Sequence, residues 1–297
     1  MSKRSLVLVT GAPRTATTPV GNVLASAAST VSLYEPLGPT GLSRIQSKFP
    51  MVGPDMNEKE FSSLLDDLGA FRFGKLNSQQ RPGKGYSWKR AIIGSRTRVT
   101  LAAARLRPRA KNVIWKDPHA IFVVPDAVNA GVQAVVTVRR AKAHAGSYAR
   151  LGWVSQVPAI YPKWAQKYGA CPIVEGALDR VGEPVISAAL IWRLSYLALI
   201  RTGTLDQVHL VRSEDLIDDE EATYRKVFEA CGLETTQATR NMLSKEKTTD
   251  SGKPDSAVTH DWSRSVASAN NYWSSVISKE QAEDVDRLTS DIESQIF

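Results

Sequence analysis

Short apolar runs alternate with longer stretches of helical period along most of the chain. Residues 5–10 read Ser-Leu-Val-Leu-Val-Thr, an aliphatic run too short for a helix and bounded by polar residues, and they predict a buried strand. Four further short runs have the same character: 31–34, 112–115, 133–138 and 207–211. Between and after them, apolar positions recur every three to four residues over about 58–69, 94–106, 120–129, 141–150, 184–202, 219–231 and 279–295, which predicts helices. Strands alternating with helical segments predict an α/β fold: a P-loop-like parallel sheet of about five strands with helices on both faces. The apolar stripe of 185–202 reads as core.

Each predicted strand ends in polar or charged residues: Glu35-Pro36, Lys116-Asp117-Pro118, Arg139-Arg140 and Arg212-Ser213-Glu214-Asp215. Ligands of open α/β sheets bind beyond the carboxyl ends of the strands, so these residues are expected to converge on one site. Residues 38–54 and 154–183 carry Pro, Gly and aromatic side chains without clear periodicity. They read as long loops, and substrate loops are placed at about 38–60 and 150–183. A polar stretch covers 248–269. There is no internal repeat, and 1–297 reads as a single domain.

Composition narrows the partners. The 297 residues include 38 Lys+Arg against 30 Asp+Glu, a net charge of +8, which favours anionic ligands. The cations are scattered, with a mild concentration over 81–116 and no dense stripe interleaved with aromatics, which argues against nucleic acid. Two cysteines, Cys171 and Cys231, are too few for a disulfide framework and read as reduced thiols. The apolar run after Lys3 and Arg4 is too short for a signal-peptide core or a membrane span, so the expectation is a cytoplasmic protein.

The first strand runs into Gly11-Ala12-Pro13-Arg14-Thr15-Ala16-Thr17-Thr18 and then into an apolar periodic run to about Ala28. A strand, a tight polar loop and a helix start bring several backbone N–H groups and a positive helix end to one spot, which makes an anion site. Thr17 and Thr18 stand where they can cap the helix and touch an oxyanion. The Walker pattern needs a Lys before the hydroxyl residue, and Ala16 and Thr17 occupy that place; the cation is Arg14, inside the loop. A second candidate grip lies eight residues apart, with Arg139 at a strand end and Ser147 on the following helix. An Arg fork and a hydroxyl suit a second anionic group.

Together these motifs resemble the sulfotransferases that use 3′-phosphoadenosine 5′-phosphosulfate (PAPS), in particular their bacterial and carbohydrate-type branch. Pro13-Arg14-Thr15-Ala16-Thr17-Thr18 is similar to the family's first motif, which cradles the 5′-phosphosulfate. Arg139 with Ser147 is similar to its second, which binds the 3′-phosphate. Tyr34-Glu35-Pro36-Leu37 resembles the EPL element, and Trp115-Lys116-Asp117-Pro118 the KDP strand end. Val211 to Leu216, with Asp218 and Gly232-Leu233, resembles the RYEDL…GL segment, and Trp273 before Ser278-Lys279-Glu280-Gln281 the C-terminal tail. The matches keep the family's order. Departures are Thr15 for Ser, Ala16 for Gly and Ser213 for Tyr. Ala16 adds a methyl where backbone approaches phosphate, and it is expected to sit at negative φ.

The resemblance implies sulfuryl transfer from PAPS to an alcohol or sugar hydroxyl, with adenosine 3′,5′-bisphosphate as product and no metal. It implies that Arg14 and the N–H groups of 14–18 hold the phosphosulfate, with Thr17 and Thr18 donating to it. Glu35 is the first candidate for the base on the acceptor hydroxyl, and His119 the second. Lys116 is a candidate for aiding the leaving group or binding the acceptor. His144 reads as structural, His209 as a core histidine, and His260 as a lesser candidate for reaching the nucleotide. Trp153, Tyr161 and Trp164 invite a ring-stacking role beside a packing one. Arg90, Arg96 and Arg98 read as a solvated face, with an acidic acceptor as the other possibility. The acceptor is a small molecule or carbohydrate that the variable loops select. A P-loop kinase would need the missing Walker Lys and acidic Mg²⁺ ligands. A non-catalytic basic module for polyanions leaves the Arg139–Ser147 spacing without a purpose.

Overall fold

The computed structural model describes residues 4–77, 95–244 and 270–297. The stretch 248–269, Arg90 and His260 lie outside the described residues.

Five strands form one parallel sheet: β1 (Ser5–Thr10), β2 (Thr30–Tyr34), β3 (Asn112–Lys116), β4 (Gln133–Val138) and β5 (His209–Arg212), in the order β2-β3-β1-β4-β5. The chain leaves β1 toward the β2 edge and later leaves β4 toward the β5 edge. The crevice above the centre of the sheet is thus a topological switch point.

The two-residue period of the strands sorts their side chains onto two cores. Leu6 and Leu8 of β1, Val113 and Trp115 of β3, and Val136 and Val138 of β4 face the larger one. Val7, Val9, Ile114 and Val135 face the smaller. Both faces are apolar, which is why these strands read as continuous rather than alternating runs. The smaller core is covered by α1 (Thr17–Ala25) and by Tyr224, Val227 and Phe228 further along the chain. The larger core receives α2 (Glu58–Ala70), α3 (Arg96–Arg105) and, after a 3-10 turn over Pro118–Val123, α4 (Val124–Asn129). It also takes in α5 (Ala141–Leu151), α6 (Val157–Tyr168), the single-turn α7 (Pro172–Glu175) and α8 (Pro184–Arg201). Beyond β5 come α9 (Ser213–Asp218), α10 (Glu220–Ala230), α11 (Gln237–Leu243) and α12 (Lys279–Ile296), the last packed in the larger core. Ser278 and Gln281 close a capping box at the start of α12.

α8 is mostly apolar and buried from Val185 to Leu199, with Arg193 ion-paired to Asp291. By length and composition alone it could cross a membrane, but 83% of it is covered by the rest of the fold, as befits a core helix.

Two expectations need correction here. Residues 154–183 are not a long loop, because most of them form α6, α7 and a 3-10 turn over Leu178–Arg180. Pro158 and Pro172 read as breakers, yet each sits in the first turn of its helix, where the missing N–H costs nothing. His209 is only half-buried, since β5 is an edge strand.

Candidate functional site

The loop after β1 is built from below. The backbone turns at Gly11, where a Cβ would stand 2.3 Å from the carbonyl oxygen of Thr137, so only glycine lets β1 and β4 end this close together. Thr15 turns its hydroxyl inward: Oγ1 donates to the Ala12 carbonyl at 2.7 Å and lies 3.0 Å from Thr137 Oγ1. From α8, the Tyr196 hydroxyl donates to the Thr137 carbonyl at 2.8 Å and accepts from the Ala12 N–H at 3.4 Å. Any contact of Thr15 with a ligand is therefore through its backbone.

Arg14 and Ala16 both lie in the left-handed region, at φ 75° and 68°. This overturns the expected negative φ at Ala16. It also makes Ala16 the N-cap of α1, with no side-chain hydrogen bond to the helix. Thr17 and Thr18 are the first helical residues, not caps. The first-turn N–H groups of α1 thus lack a side-chain cap at the end where the helix dipole is positive.

Arg14 reaches to α5, where its Nε donates to Ser147 Oγ at 3.0 Å. Its guanidinium lies 5.6 Å from the Trp153 ring centroid. Burial, and then the charge of Arg150, push its pKa below the ordinary value. A cation held in such a place favours an arriving anion. Arg139 directly follows β4 and is buried. Its Nε donates to Asn270 Oδ1 at 2.8 Å, its carbonyl accepts from Trp192 Nε1 at 2.8 Å, and its guanidinium carbon is 6.0 Å from the Tyr272 ring centroid. Asn270 in turn donates to Ser213 Oγ at 2.9 Å. In this arrangement Ser147 faces Arg14, and Arg139 is held by Asn270. Asn270 and Tyr196 were not foreseen. Asn270 stands three residues before Trp273, but a lone polar residue carries no spacing signal.

On the β2–β3 side, Glu35 and Lys116 meet. Lys116 Nζ donates to Glu35 Oε1 at 2.8 Å, with side-chain exposures of 3% and 22%. The ammonium also lies 3.6 Å from the Tyr34 ring centroid. Its stem passes under α1 at Gly21, where a Cβ would be 2.5 Å from Lys116 Cγ. Glu35 is itself at φ 49°, a left-handed position uncommon for glutamate, of the kind that marks functional turns. Asp117 fixes the surroundings. Its Oδ2 accepts from the Leu37 N–H at 2.6 Å and its Oδ1 from the His119 N–H at 3.0 Å. Burial first, then the charge of Glu35, raise its pKa to about 7. His119 packs 4.9 Å from the Phe49 ring, and burial lowers its pKa, so its imidazole is neutral near pH 7. Its Nδ1 is buried without a hydrogen-bond partner among the described residues.

Thus the ends of β1, β2, β3 and β4 present Arg14, Glu35, Lys116 and Arg139 on one edge of the sheet. Tyr161 and Trp164 do not join them. They are buried packing residues, with Trp164 Nε1 donating to the Leu194 carbonyl at 3.1 Å. Trp153, 39% exposed, is the aromatic that does stand at the site, beside Arg14. His144 is fully buried in α5. Cys171 and Cys231 are buried free thiols. Arg96 covers the Tyr34 ring at 5.4 Å. Among the described residues no three His, Cys, Asp or Glu side chains form a metal-ligand cluster.

No family model matches the chain, and no curated protein matches it. Among solved structures it is similar to the sulfotransferase domain of the Synechococcus PCC 7002 olefin synthase, at 16% identity and TM-score 0.47 over 100% of this chain and 95% of that one. It is also similar to the sulfotransferase domain from the curacin biosynthetic pathway, at 14% identity and TM-score 0.47 over 98% of this chain and 99% of that one. At TM-scores below 0.5 these likenesses assign no role to any residue.

Proposed function

We propose that this chain is a sulfotransferase that moves the sulfuryl group of PAPS to the hydroxyl of a small-molecule or carbohydrate acceptor. The observation that carries the reading is a pair of arginines, Arg14 half-buried and Arg139 buried. Arg14 sits in the loop between β1 and α1, tied to Ser147, and Arg139 directly follows the neighbouring strand. Two fixed cations suit a ligand with two anionic groups, and a cradle without lysine departs from the nucleoside triphosphatases.

Arg14 and the uncapped N–H groups at the start of α1 would hold the 5′-phosphosulfate, with Thr17 and Thr18 donating to it. Pro13, Thr15 and Ala16 would serve through backbone shape. Arg139, with Ser147, would take the 3′-phosphate. Glu35 Oε1 is occupied by Lys116. Oε2 would accept the proton of the acceptor hydroxyl. As that oxygen forms its bond to sulfur, the bond from sulfur to the phosphate oxygen breaks, and adenosine 3′,5′-bisphosphate leaves with the electron pair. Arg14 would neutralise the charge that grows on the phosphate, which makes catalysis chiefly positioning and electrostatics. Lys116 would orient Glu35, and His119 stands as the second candidate base.

Calorimetric titration with adenosine 3′,5′-bisphosphate, without metal, tests the donor site. The expected result is micromolar or tighter binding, weaker for Mg²⁺-ATP and lost in Arg139→Ala. A preference for Mg²⁺-ATP, or no binding of the bisphosphate, would overturn the reading.

A further inference from the structure

The proposed chemistry makes no use of one buried titratable group, His144, on the face of α5 that meets the anion loop. We infer that His144 is a positioning residue, whose Nε2–H pins the Pro13 carbonyl and so sets the aim of the Arg14 backbone. The inference rests on the proposed anion-binding role of that loop.

Nε2 lies 2.8 Å from the Pro13 carbonyl oxygen. A carbonyl only accepts, so this nitrogen carries the hydrogen, which fixes the tautomer. The imidazole is fully buried, and burial together with the charges of Arg139 and Arg14 holds its pKa at about 3. It is therefore neutral throughout the working range, a fixed donor and not a proton shuttle.

Peptide geometry carries this restraint to the next residue. The Pro13–Arg14 peptide is trans, so its C=O and N–H point in opposite directions. Holding the Pro13 oxygen against α5 turns the Arg14 N–H to the opposite side of the loop. Pro13 has no N–H, so its carbonyl is the only backbone hydrogen-bonding handle at that residue. Arg14 follows at φ 75°, a conformation with a cost for any non-glycine residue, and such a turn persists only where neighbours over-determine it.

The same helix face supplies the other restraints. Ser147, three residues on, takes the Arg14 side chain. Tyr148, four residues on, packs 4.8 Å from the His144 ring and meets Trp153 edge-on at 5.9 Å. Trp153 faces the Arg14 guanidinium. Backbone and side chain of Arg14 are thus both set from α5, one by His144 and one by Ser147.

Wild type, His144→Phe, His144→Leu and His144→Gln are compared by hydrogen exchange of the amides of 11–18 and by titration with adenosine 3′,5′-bisphosphate. Phe and Leu remove the donor at two different volumes, and Gln returns an N–H donor on a side chain of similar reach. The two donor-less variants are expected to speed exchange of the loop amides and weaken bisphosphate binding by about tenfold, while Gln recovers most of both. Wild-type exchange in Phe and Leu, or a Gln variant no better than they are, would overturn the inference. A packing defect shows itself as a difference between Phe and Leu. If wild type does not bind the bisphosphate, the donor reading fails, and the exchange comparison still decides the role of His144.

Discussion

At the residue scale the site consists of side chains whose ordinary behaviour is altered by where the backbone puts them. Ala16 is the plainest case. A left-handed φ of 68° costs an alanine about 1–2 kcal/mol, whereas glycine there gives back about 0.4–1 kcal/mol in unfolded-chain entropy. Ala16→Gly is therefore expected to raise stability by roughly 0.5–1 kcal/mol, readable as a higher midpoint in urea. The identity of the residue was legible in the sequence; its φ was not, because a lone Ala between polar residues has no conformational signature. Glu35 gives a second test. Gln at this position keeps an oxygen for Lys116 but cannot take a proton. Glu35→Gln should lower turnover by about 10²–10⁴-fold and leave bisphosphate affinity within a few-fold of wild type. Near-normal turnover would remove Glu35 as the base and favour His119.

At the element scale, α1 and β3 make one unit through Gly21 and Lys116. An added methyl at Gly21 would collide with the lysine stem, 2.5 Å away, and displace the ammonium from Glu35. Gly21→Ala is expected to cost about 1–3 kcal/mol in unfolding and to reduce turnover. The end of β3 carries a pH dependence as well. Asp117 titrates at about 7 in the fold against 3.8 when exposed, so the folded state holds its proton more tightly. Its contribution to stability is full below about pH 4 and is lost as pH rises through about 7. Urea unfolding at pH 5 and pH 8 should show this loss in wild type, and Asp117→Asn should flatten it. Strands and long helices were readable because both faces of the sheet are apolar and the helices hold their period. Residues 157–168 were not readable as a helix, because Pro158 looks like a breaker until its first-turn position is known and Pro162 stands in the helix interior, where packing overrides its propensity.

At the scale of the whole molecule, the net charge of +8 favours anionic ligands over cationic ones. Binding of adenosine 3′,5′-bisphosphate should weaken as ionic strength rises. At 100 times its dissociation constant it should stabilise the fold by about 2.7 kcal/mol, seen as a shift in thermal midpoint. A midpoint unmoved by the bisphosphate would argue against a donor site at the Arg14–Arg139 edge.

The sequence by itself determined the α/β class, the number of strands, the polar strand ends and the polar loop after β1 with its arginine. Those features are local, written in hydrophobic period and in the spacing of Gly, Pro and charge. Tertiary structure alone decided the pairings: Arg14 with Ser147, Arg139 with Asn270, Glu35 with Lys116 and His144 with Pro13. These contacts join residues from 81 to 133 positions apart, and no local pattern encodes them. They exist because parallel strands in the order β2-β3-β1-β4-β5 bring four distant carboxyl ends to one edge, where the next helix must cross.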